Sequence, residues 1–224
     1  MQGINTVQQI AVILIPGLFA ITAHEAAHGW TASRLGDRTA LMLGRVTLNP
    51  FRHIDPVGTL VVPLATWLLT GFVFGWAKPV PIDWRNLRSP RRDTGLVALA
   101  GPLANGLMAV LWGLAIDLGL LLWGSLQWVA LPLVYMGAAG VLINVVLMVL
   151  NLVPLPPLDG GRILAALLPP RMAYAYGRLE PYGLIILVAL LVSGLLGRIL
   201  TPLVVFSVGW LPGAAVVKEL FLVH

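Results

Sequence analysis

Two histidines and a glutamate interrupt an apolar run near the start of the chain, in the stretch AITAHEAAHGW (residues 20–30). His24, Glu25 and His28 form the pattern H-E-x-x-H. On a helix, positions i and i+4 lie on one face, so both imidazoles can reach a single metal ion. Glu25 lies beside them and can take a proton from a water molecule. The pattern predicts a metal-dependent hydrolytic site; the alternative is a pair of structural histidines near a membrane surface.

The composition indicates that this cluster lies in a membrane. Of the 224 residues, 58% are hydrophobic and only 10% are charged, and the mean hydropathy is +0.91. Soluble domains carry about a quarter charged residues, and several runs here approach the roughly 20 apolar residues that cross a bilayer. Ionisable side chains inside a span are costly and usually functional. We therefore expect a polytopic membrane protein with one domain over residues 1–224.

Composition also excludes several kinds of site. The chain has no cysteine, so thiolate zinc sites, disulfides and cysteine nucleophiles are excluded. The net charge of +5 is interpreted as a result of loop topology, and no nucleic-acid partner is predicted. The N-terminal stretch has no basic region of the kind that opens a cleaved signal peptide. The oligomeric state is left open.

The apolar segments predict an all-α protein with five or six transmembrane helices. Three spans are expected, over roughly residues 7–31, 94–122 and 128–153. A last apolar block over residues 182–217 is interrupted and predicts two more spans; the interrupting residues are Gly194, Gly197 and Arg198. The remaining apolar stretch, residues 57–74, either crosses the membrane or enters and returns on the same side.

Loop charge favours the re-entrant alternative. Basic residues cluster after the first span, before residue 94 and after residue 153, and the positive-inside rule places all three groups on the cytoplasmic side. That placement requires the stretch 57–74 to return rather than to cross. Gly58, Pro63 and Gly71 are compatible with a broken element, which is tolerated where it is buried in protein or lines a cavity. A re-entrant or extended segment is therefore expected around residues 57–82.

A catalytic metal usually has three protein ligands and one open position, so the two histidines need a partner. After Glu25 the next glutamate is Glu180, which leaves the aspartates. Asp117 lies near the far end of its span. Four others lie in basic loops and are interpreted as solvated charges or local salt-bridge partners: Asp37, Asp55, Asp83 and Asp93.

Asp159 is the best-placed carboxylate, in the stretch PPLDGG just past a predicted span. The two prolines before it stop the helix, and the two glycines after it permit tight backbone turns. His24 and His28 lie near the cytoplasmic end of the first span. A re-entrant segment brings Asp159 to that same face, whereas a crossing segment places it on the opposite face. Loop charge and ligand depth thus favour the same topology.

Three stretches together are similar to a known family. H-E-x-x-H in an early span, GPLAN (residues 101–105) and NLVPLPPLDGG (residues 151–161) resemble the site-2 protease family of intramembrane zinc metalloproteases. The resemblance covers residues 21–162. The run HGWTASRLGDRTALMLGRVTLNPFRHIDPVGTL (residues 28–60) further resembles the short prokaryotic members, without PDZ or CBS domains.

The resemblance implies one Zn²⁺ per chain, bound by His24, His28 and Asp159, with Glu25 as the general base. It also implies catalytic roles near the substrate for Asn151 and Asn105, since an asparagine amide can stabilise a developing oxyanion. Asn144 lies two helical turns before Asn151 and can line the same polar surface. The alternative for all three asparagines is hydrogen bonding between helices.

The implied activity is hydrolysis of peptide bonds within transmembrane segments of membrane protein substrates. The expected location is the cell membrane, with multiple spans and the active site toward the cytoplasmic side. The catalytic core is expected over residues 7–168 and the C-terminal helices over residues 182–222. A metal transporter or a catalytically silent membrane scaffold are the alternatives. The intact Glu25 argues against a scaffold, and the four histidines of the chain are few for an ion path.

Two loop features carry weaker hypotheses. The stretch GWAKPVPI (residues 75–82) resembles an extended edge with which a substrate strand could pair, although Pro79 and Pro81 remove two donors. His53 is a candidate accessory ligand or gate, but a loop histidine beside a span is more often a surface residue.

Overall fold

A computed structural model describes residues 6–62, 64, 68 and 78–222. These residues form helices joined by turns, and no strand occurs among them. The α-helices are α1 (Thr6–Leu35), α2 (Thr39–Met42), α3 (Pro90–Leu122), α4 (Gln127–Asn151), α5 (Asp159–Leu167), α6 (Pro170–Gly177), α7 (Glu180–Val192), α8 (Leu195–Gly209) and α9 (Ala214–Val217). Short 3₁₀ turns cover Pro50–Arg52 and Trp84–Asn86, and wider π-type turns cover Pro56–Val61 and Lys218–Leu222.

Three of these helices, α1, α3 and α4, are long and apolar enough to cross a membrane. The pair α6 and α7, bent by 62° at its break, adds a fourth candidate if it is one span, and α8 is shorter. The predicted all-α polytopic membrane protein is thereby confirmed. Most of the segment 57–74 lies outside the described residues, so its path and the count of five or six crossings stay predictions.

The observed helix limits follow from local chemistry. α3 begins at Pro90, whose fixed φ suits the first helical position, and the Ser89 N–H donates to Asp93 Oδ2 at 2.8 Å. The last apolar block breaks where predicted, because Gly194 has a φ of +72° that side-chain-bearing residues rarely adopt.

Small residues bring α3 and α4 into close contact along their lengths. A Cβ on Gly140 would lie 2.4 Å from Trp112 Cγ, and one on Gly137 would lie 2.6 Å from Ile116 Cγ1. Small residues at such positions let membrane helices approach closely. The core around this contact also takes in α8 and α9, and its buried members are Ala109, Ile116, Ala138, Val141, Val145, Val149, Val204, Val208 and Val217. α1 packs against both α3 and α4.

The glycines after Asp159 act differently from the prediction. Gly160 and Gly161 lie in the first turn of α5 rather than in a tight backbone turn, and neither has a positive φ. A Cβ on Gly160 would lie 2.3 Å from the Leu152 carbonyl oxygen, and one on Gly161 would lie 2.5 Å from Pro156 N. The absence of side chains therefore lets α5 start directly against the loop that leaves α4.

Two loop expectations are wrong. Asp37 and Asp93 are buried rather than solvated: Asp37 accepts hydrogen bonds from Thr39 and from the Asp83 N–H, and Asp93 accepts one from the Ser89 N–H. His53 is also buried rather than on the surface, with Nε2 at 3.0 Å from the Thr47 carbonyl oxygen. Asp83 does form the predicted local salt bridge, with Arg85 at 3.0 Å.

Candidate metal centre

The three predicted ligands converge at one point. His24 and His28 lie one helical turn apart on α1, and their Nε2 atoms are 3.0 Å apart. Asp159, the first residue of α5, places Oδ2 at 3.2 Å from His24 Nε2 and 3.3 Å from His28 Nε2. All three side chains are nearly buried, with 10% to 13% of their surface exposed. In the described part of the chain, this is the one cluster of three such groups that could hold a metal.

The hydrogen bonds on the far side of each ring set the tautomers. His28 Nδ1 lies 2.7 Å from the Val97 carbonyl oxygen, which can only accept, so Nδ1 carries the proton. His24 Nδ1 lies 2.7 Å from Asn105 Oδ1. The Asn105 amide nitrogen donates to the Ala20 carbonyl and to Asn144, which fixes its oxygen toward His24. In the neutral form, an imidazole with its proton on Nδ1 carries its lone pair on Nε2, so both Nε2 atoms can then bind a metal ion.

This arrangement fits a metal cation. Two imidazole lone pairs and the carboxylate oxygen of Asp159 face one another across little more than 3 Å. Asp159 Oδ2 is buried and no described donor forms a hydrogen bond to it. A carboxylate that is buried without a donor is costly. A cation between the three atoms satisfies all of them, and backbone carbonyls or amides behind the imidazoles are the usual orienting partners of metal-bound histidines.

Glu25 lies on the same helical turn as the two histidines but has a different partner. Its Oε2 accepts a hydrogen bond of 2.7 Å from the Val80 N–H. The other carboxylate oxygen, Oε1, accepts no hydrogen bond from the described residues. The side chain is half-buried, beside the ligands rather than among them. This is the position expected for a group that moves a proton.

The asparagines differ in their relation to the cluster. Asn105 and Asn144 are fully buried and hydrogen-bonded to each other at 2.9 Å, which is the helix-to-helix contact that was the alternative in the prediction. Asn105 also contacts His24, so it can orient a ligand. Asn151 is half-buried at the end of α4, and its amide donates to the Leu147 carbonyl at 2.9 Å.

Two contributions came from outside the predicted residues. The Val97 carbonyl orients His28, and a backbone carbonyl leaves no mark in the sequence. Gly101, in the stretch GPLAN, forms the floor under both rings: a Cβ there would lie 2.5 Å from His28 Nε2 and 2.6 Å from His24 Cε1. The close contact at GPLAN is thus with the two histidine side chains themselves.

Replacing Gly101 with alanine is expected to destabilise the protein by about 1–3 kcal/mol, the usual cost of overpacking. Both imidazoles must move, so binding of a divalent metal should weaken as well. Thermal unfolding and metal content of the purified protein measure the two effects. Gly17→Ala is the matched control, because its Cβ would meet Ile143 Cδ1 at an ordinary 3.8 Å. A Gly101→Ala protein that unfolds and binds metal like the wild type would contradict the packing described here.

The fold and the site together define a class: a membrane protein with a candidate His₂Asp metal centre and an adjacent glutamate on an H-E-x-x-H helix. The model of peptidase family M50 matches residues 120–194, which include Asn151 and Asp159. No solved structure matches the chain.

Curated relatives extend the match to most of the chain. The Bacillus subtilis protein named "Putative zinc metalloprotease YwhC" is 36% identical over 193 residues, 85% of this chain and 84% of the relative. Proteins named "Putative zinc metalloprotease Rip2" are 32% identical over 192 residues in Mycolicibacterium smegmatis and 30% identical over 200 residues in Mycobacterium tuberculosis. The alignments cover 84% of this chain in both cases, and 70% and 72% of the relatives. The chain belongs to peptidase family M50, the site-2 protease family, and is a membrane metalloprotease.

Proposed function

We propose that this protein is an intramembrane zinc metalloprotease that hydrolyses peptide bonds within the transmembrane segments of membrane protein substrates. The observation that carries the proposal is the convergence of the ligand atoms of His24, His28 and Asp159 beside Glu25, in a protein whose long helices can span a bilayer. The relatives whose names include zinc support the choice of metal. Two imidazoles and a carboxylate are a ligand set typical of catalytic zinc.

His24, His28 and Asp159 would hold one Zn²⁺ per chain. When bound, zinc supplies Lewis-acid chemistry: it polarises the scissile carbonyl and lowers the pKa of water. The protein keeps the three ligands at fixed orientation through the Val97 carbonyl and Asn105. The near-burial of the ligand side chains limits bulk water around them, which strengthens electrostatic interactions at the site.

Glu25 would act as the general base and then as the general acid. One of its carboxylate oxygens is occupied by the Val80 N–H, which leaves the other to accept the proton of the attacking water. Glu25 then delivers that proton to the leaving amine. Because the carboxylate cannot rotate freely while it accepts the Val80 bond, proton transfer starts from one defined geometry.

Asn105 and Asn151 are proposed to have different roles. Asn105 is buried behind His24, which favours a positioning role over the predicted catalytic role. Asn151 lies at the end of α4, just ahead of the loop that leads to Asp159. It keeps the role of stabilising the tetrahedral oxyanion through its amide. Its bond to the Leu147 carbonyl uses one of the two amide hydrogens and leaves the other for a substrate.

The site is proposed to face the cytoplasmic side of the cell membrane. His28 is about 10 Å from the end of α1, at a helical rise of 1.5 Å per residue. Four arginines follow within the next stretch, and basic residues concentrate in cytoplasmic loops, where they can also contact anionic lipids; they are Arg34, Arg38, Arg45 and Arg52. A substrate helix would enter from the bilayer and unwind locally before cleavage.

The experiment that tests the proposal is cleavage of a single-span model substrate by the purified protein in detergent. Removal of metal with a chelator is expected to abolish cleavage, and one equivalent of Zn²⁺ should restore it. Loss of at least about 100-fold in rate is expected, since electrostatic stabilisation at such sites contributes that much. Cleavage that continues at the same rate in metal-free protein would refute the proposal.

A further inference from the structure

A segment of the chain crosses the catalytic glutamate, and we call residues 78–86 the strap. Its first part has no regular secondary structure, and it ends in the turn Trp84–Asn86. Pro79 and Pro81 have no N–H, so Val80 offers the one backbone donor of these three residues. That N–H donates to Glu25 Oε2 at 2.7 Å. The position of the strap therefore sets the position of the Glu25 carboxylate.

The first end of the strap is anchored through its backbone. The Lys78 N–H donates to the His53 carbonyl at 2.9 Å. The Arg45 guanidinium donates to the carbonyls of Lys78 and Pro79, at 3.0 and 3.3 Å. With the Val80 N–H bound to Glu25, these backbone groups are already paired. The structure therefore argues against the hypothesis of a free edge for a substrate strand in residues 78–80, where these backbone groups are occupied. The first residues of the predicted edge, 75–77, lie outside the described part of the chain.

At the other end of the strap, a buried carboxylate accepts two hydrogen bonds from strap residues. Asp37 Oδ2 accepts the Asp83 N–H at 2.9 Å, and Asp37 Oδ1 accepts the Asn86 side-chain amide at 3.2 Å. The same Oδ1 accepts both the N–H and the hydroxyl of Thr39. Asp37 is fully buried. No Lys or Arg among the described residues forms an ion pair with it, so neutral donors stabilise the negative charge of its carboxylate.

These bonds keep Asp37 ionised in its buried position. Burial alone raises the pKa of the Asp37 carboxyl, but the hydrogen bonds from Thr39, Asn86 and the Asp83 N–H outweigh it and hold the pKa below its usual value. A charged acceptor makes stronger hydrogen bonds than a neutral one. These bonds therefore add to the packing of Ile82 and Trp84 against a buried apolar cluster in holding a segment with little secondary structure of its own; the cluster is Ala32, Leu87 and Val97.

The contacts form a closed ring. α1 carries Glu25 and ends at Leu35, and Asp37 follows two residues later. Asp37 binds the strap at Asp83, and the strap returns to Glu25 through Val80. We propose that Asp37 is a positioning residue for the reaction: it fixes the strap so that the Val80 N–H holds the Glu25 carboxylate in its working orientation. This inference rests on the proposed proteolytic function.

Asp37→Ala tests the ring, with Thr39→Val as the matched control that removes a donor to the same carboxylate but leaves the strap contacts. In the zinc-loaded protein, Asp37→Ala is expected to lower kcat about 10–100-fold, the effect of moving a catalytic group by about 1 Å, with KM changed less than about twofold. Zinc content should stay at the wild-type level. Thr39→Val should keep most of kcat.

A readout independent of activity is hydrogen exchange of the strap amides. In Asp37→Ala, exchange over residues 78–86 is expected to be about tenfold faster, because the segment opens more often, while the core of α3 exchanges as before. Unchanged strap exchange would overturn the proposal. So would faster exchange with unchanged kcat, because the strap would then be held by Asp37 without serving Glu25.

Val80 gives a second pair of variants in case Asp37→Ala does not fold. Val80→Pro removes the N–H and keeps apolar bulk, whereas Val80→Ala keeps the N–H and loses a buried side chain. Val80→Pro is expected to lower kcat about 10–100-fold and Val80→Ala to change it far less. The reverse order would overturn the proposal. A wild-type protein that holds zinc but cleaves nothing would instead refute the proposed function, and the positioning role with it.

Discussion

Replacing Glu25 with glutamine is expected to lower the rate of substrate cleavage by about 10²–10⁴-fold, the usual contribution of a general acid–base group. Glutamine has nearly the same shape, and its side-chain oxygen can still accept the Val80 N–H. It cannot accept the proton of the attacking water. The purified Glu25→Gln protein should therefore keep its zinc but lose cleavage of a single-span substrate. Both quantities are measured on the same sample.

Glu219 offers the matched control, because it is an exposed glutamate near the end of the chain and outside the site. Glu219→Gln should cleave at the wild-type rate. Cleavage by Glu25→Gln at the wild-type rate would show that another group moves the proton. Loss of both zinc and activity would show that Glu25 supports the metal centre rather than the proton transfer.

The second large effect is expected from Asp159→Ala, which should weaken zinc binding by more than about 100-fold. Changes to groups behind the ligands alone cost about 10–100-fold in such centres, and this change removes a ligand. Two neighbouring imidazoles then remain, with no carboxylate to balance the metal charge. Zinc titration of the folded protein, followed by calorimetry, measures the loss.

Asp117→Ala is the control, since Asp117 is an exposed aspartate on α3. It should bind one zinc as tightly as the wild type. An Asp159→Ala protein that still binds one zinc with wild-type affinity would contradict the ligand set. Ion flux into vesicles that survives Asp159→Ala would favour metal transport over proteolysis.

Much of the metal centre could be predicted because its parts have local signatures. The spacing of His24 and His28 needs only the helical period to place both imidazoles on one face. Asp159 follows a proline-containing loop, and it is the acid that returns to the depth of the histidines; α4 itself already ends at Asn151, ahead of Pro156 and Pro157. The structure brings these three side chains together. The limits of the long apolar helices were likewise predicted to within a few residues.

The parts that were missed depend on tertiary packing. Asp37 lies between Gly36 and Arg38 in a basic stretch, where a solvated charge is the ordinary expectation, and only the return of the strap buries it. His53 is buried as well, and its contacts with the Thr47 carbonyl and the Lys78 N–H are likewise tertiary. Gly101 lies in the stretch GPLAN that carries part of the family resemblance, but its contact with both imidazoles could not be predicted from the neighbouring residues.

The distance between the ligands along the chain has a consequence for the fold as a whole. His28 and Asp159 are about 130 residues apart in sequence, yet their ligand atoms lie 3.3 Å apart. An ion bound between them acts as a cross-link that closes one very long loop. Closing a loop of that length costs an unfolded chain about 4–5 kcal/mol in entropy. Contact of α1 with the start of α5 has already closed this loop in the folded chain, so the ligand set is preformed for the ion. Release of the ion and separation of the two helices are therefore thermodynamically coupled.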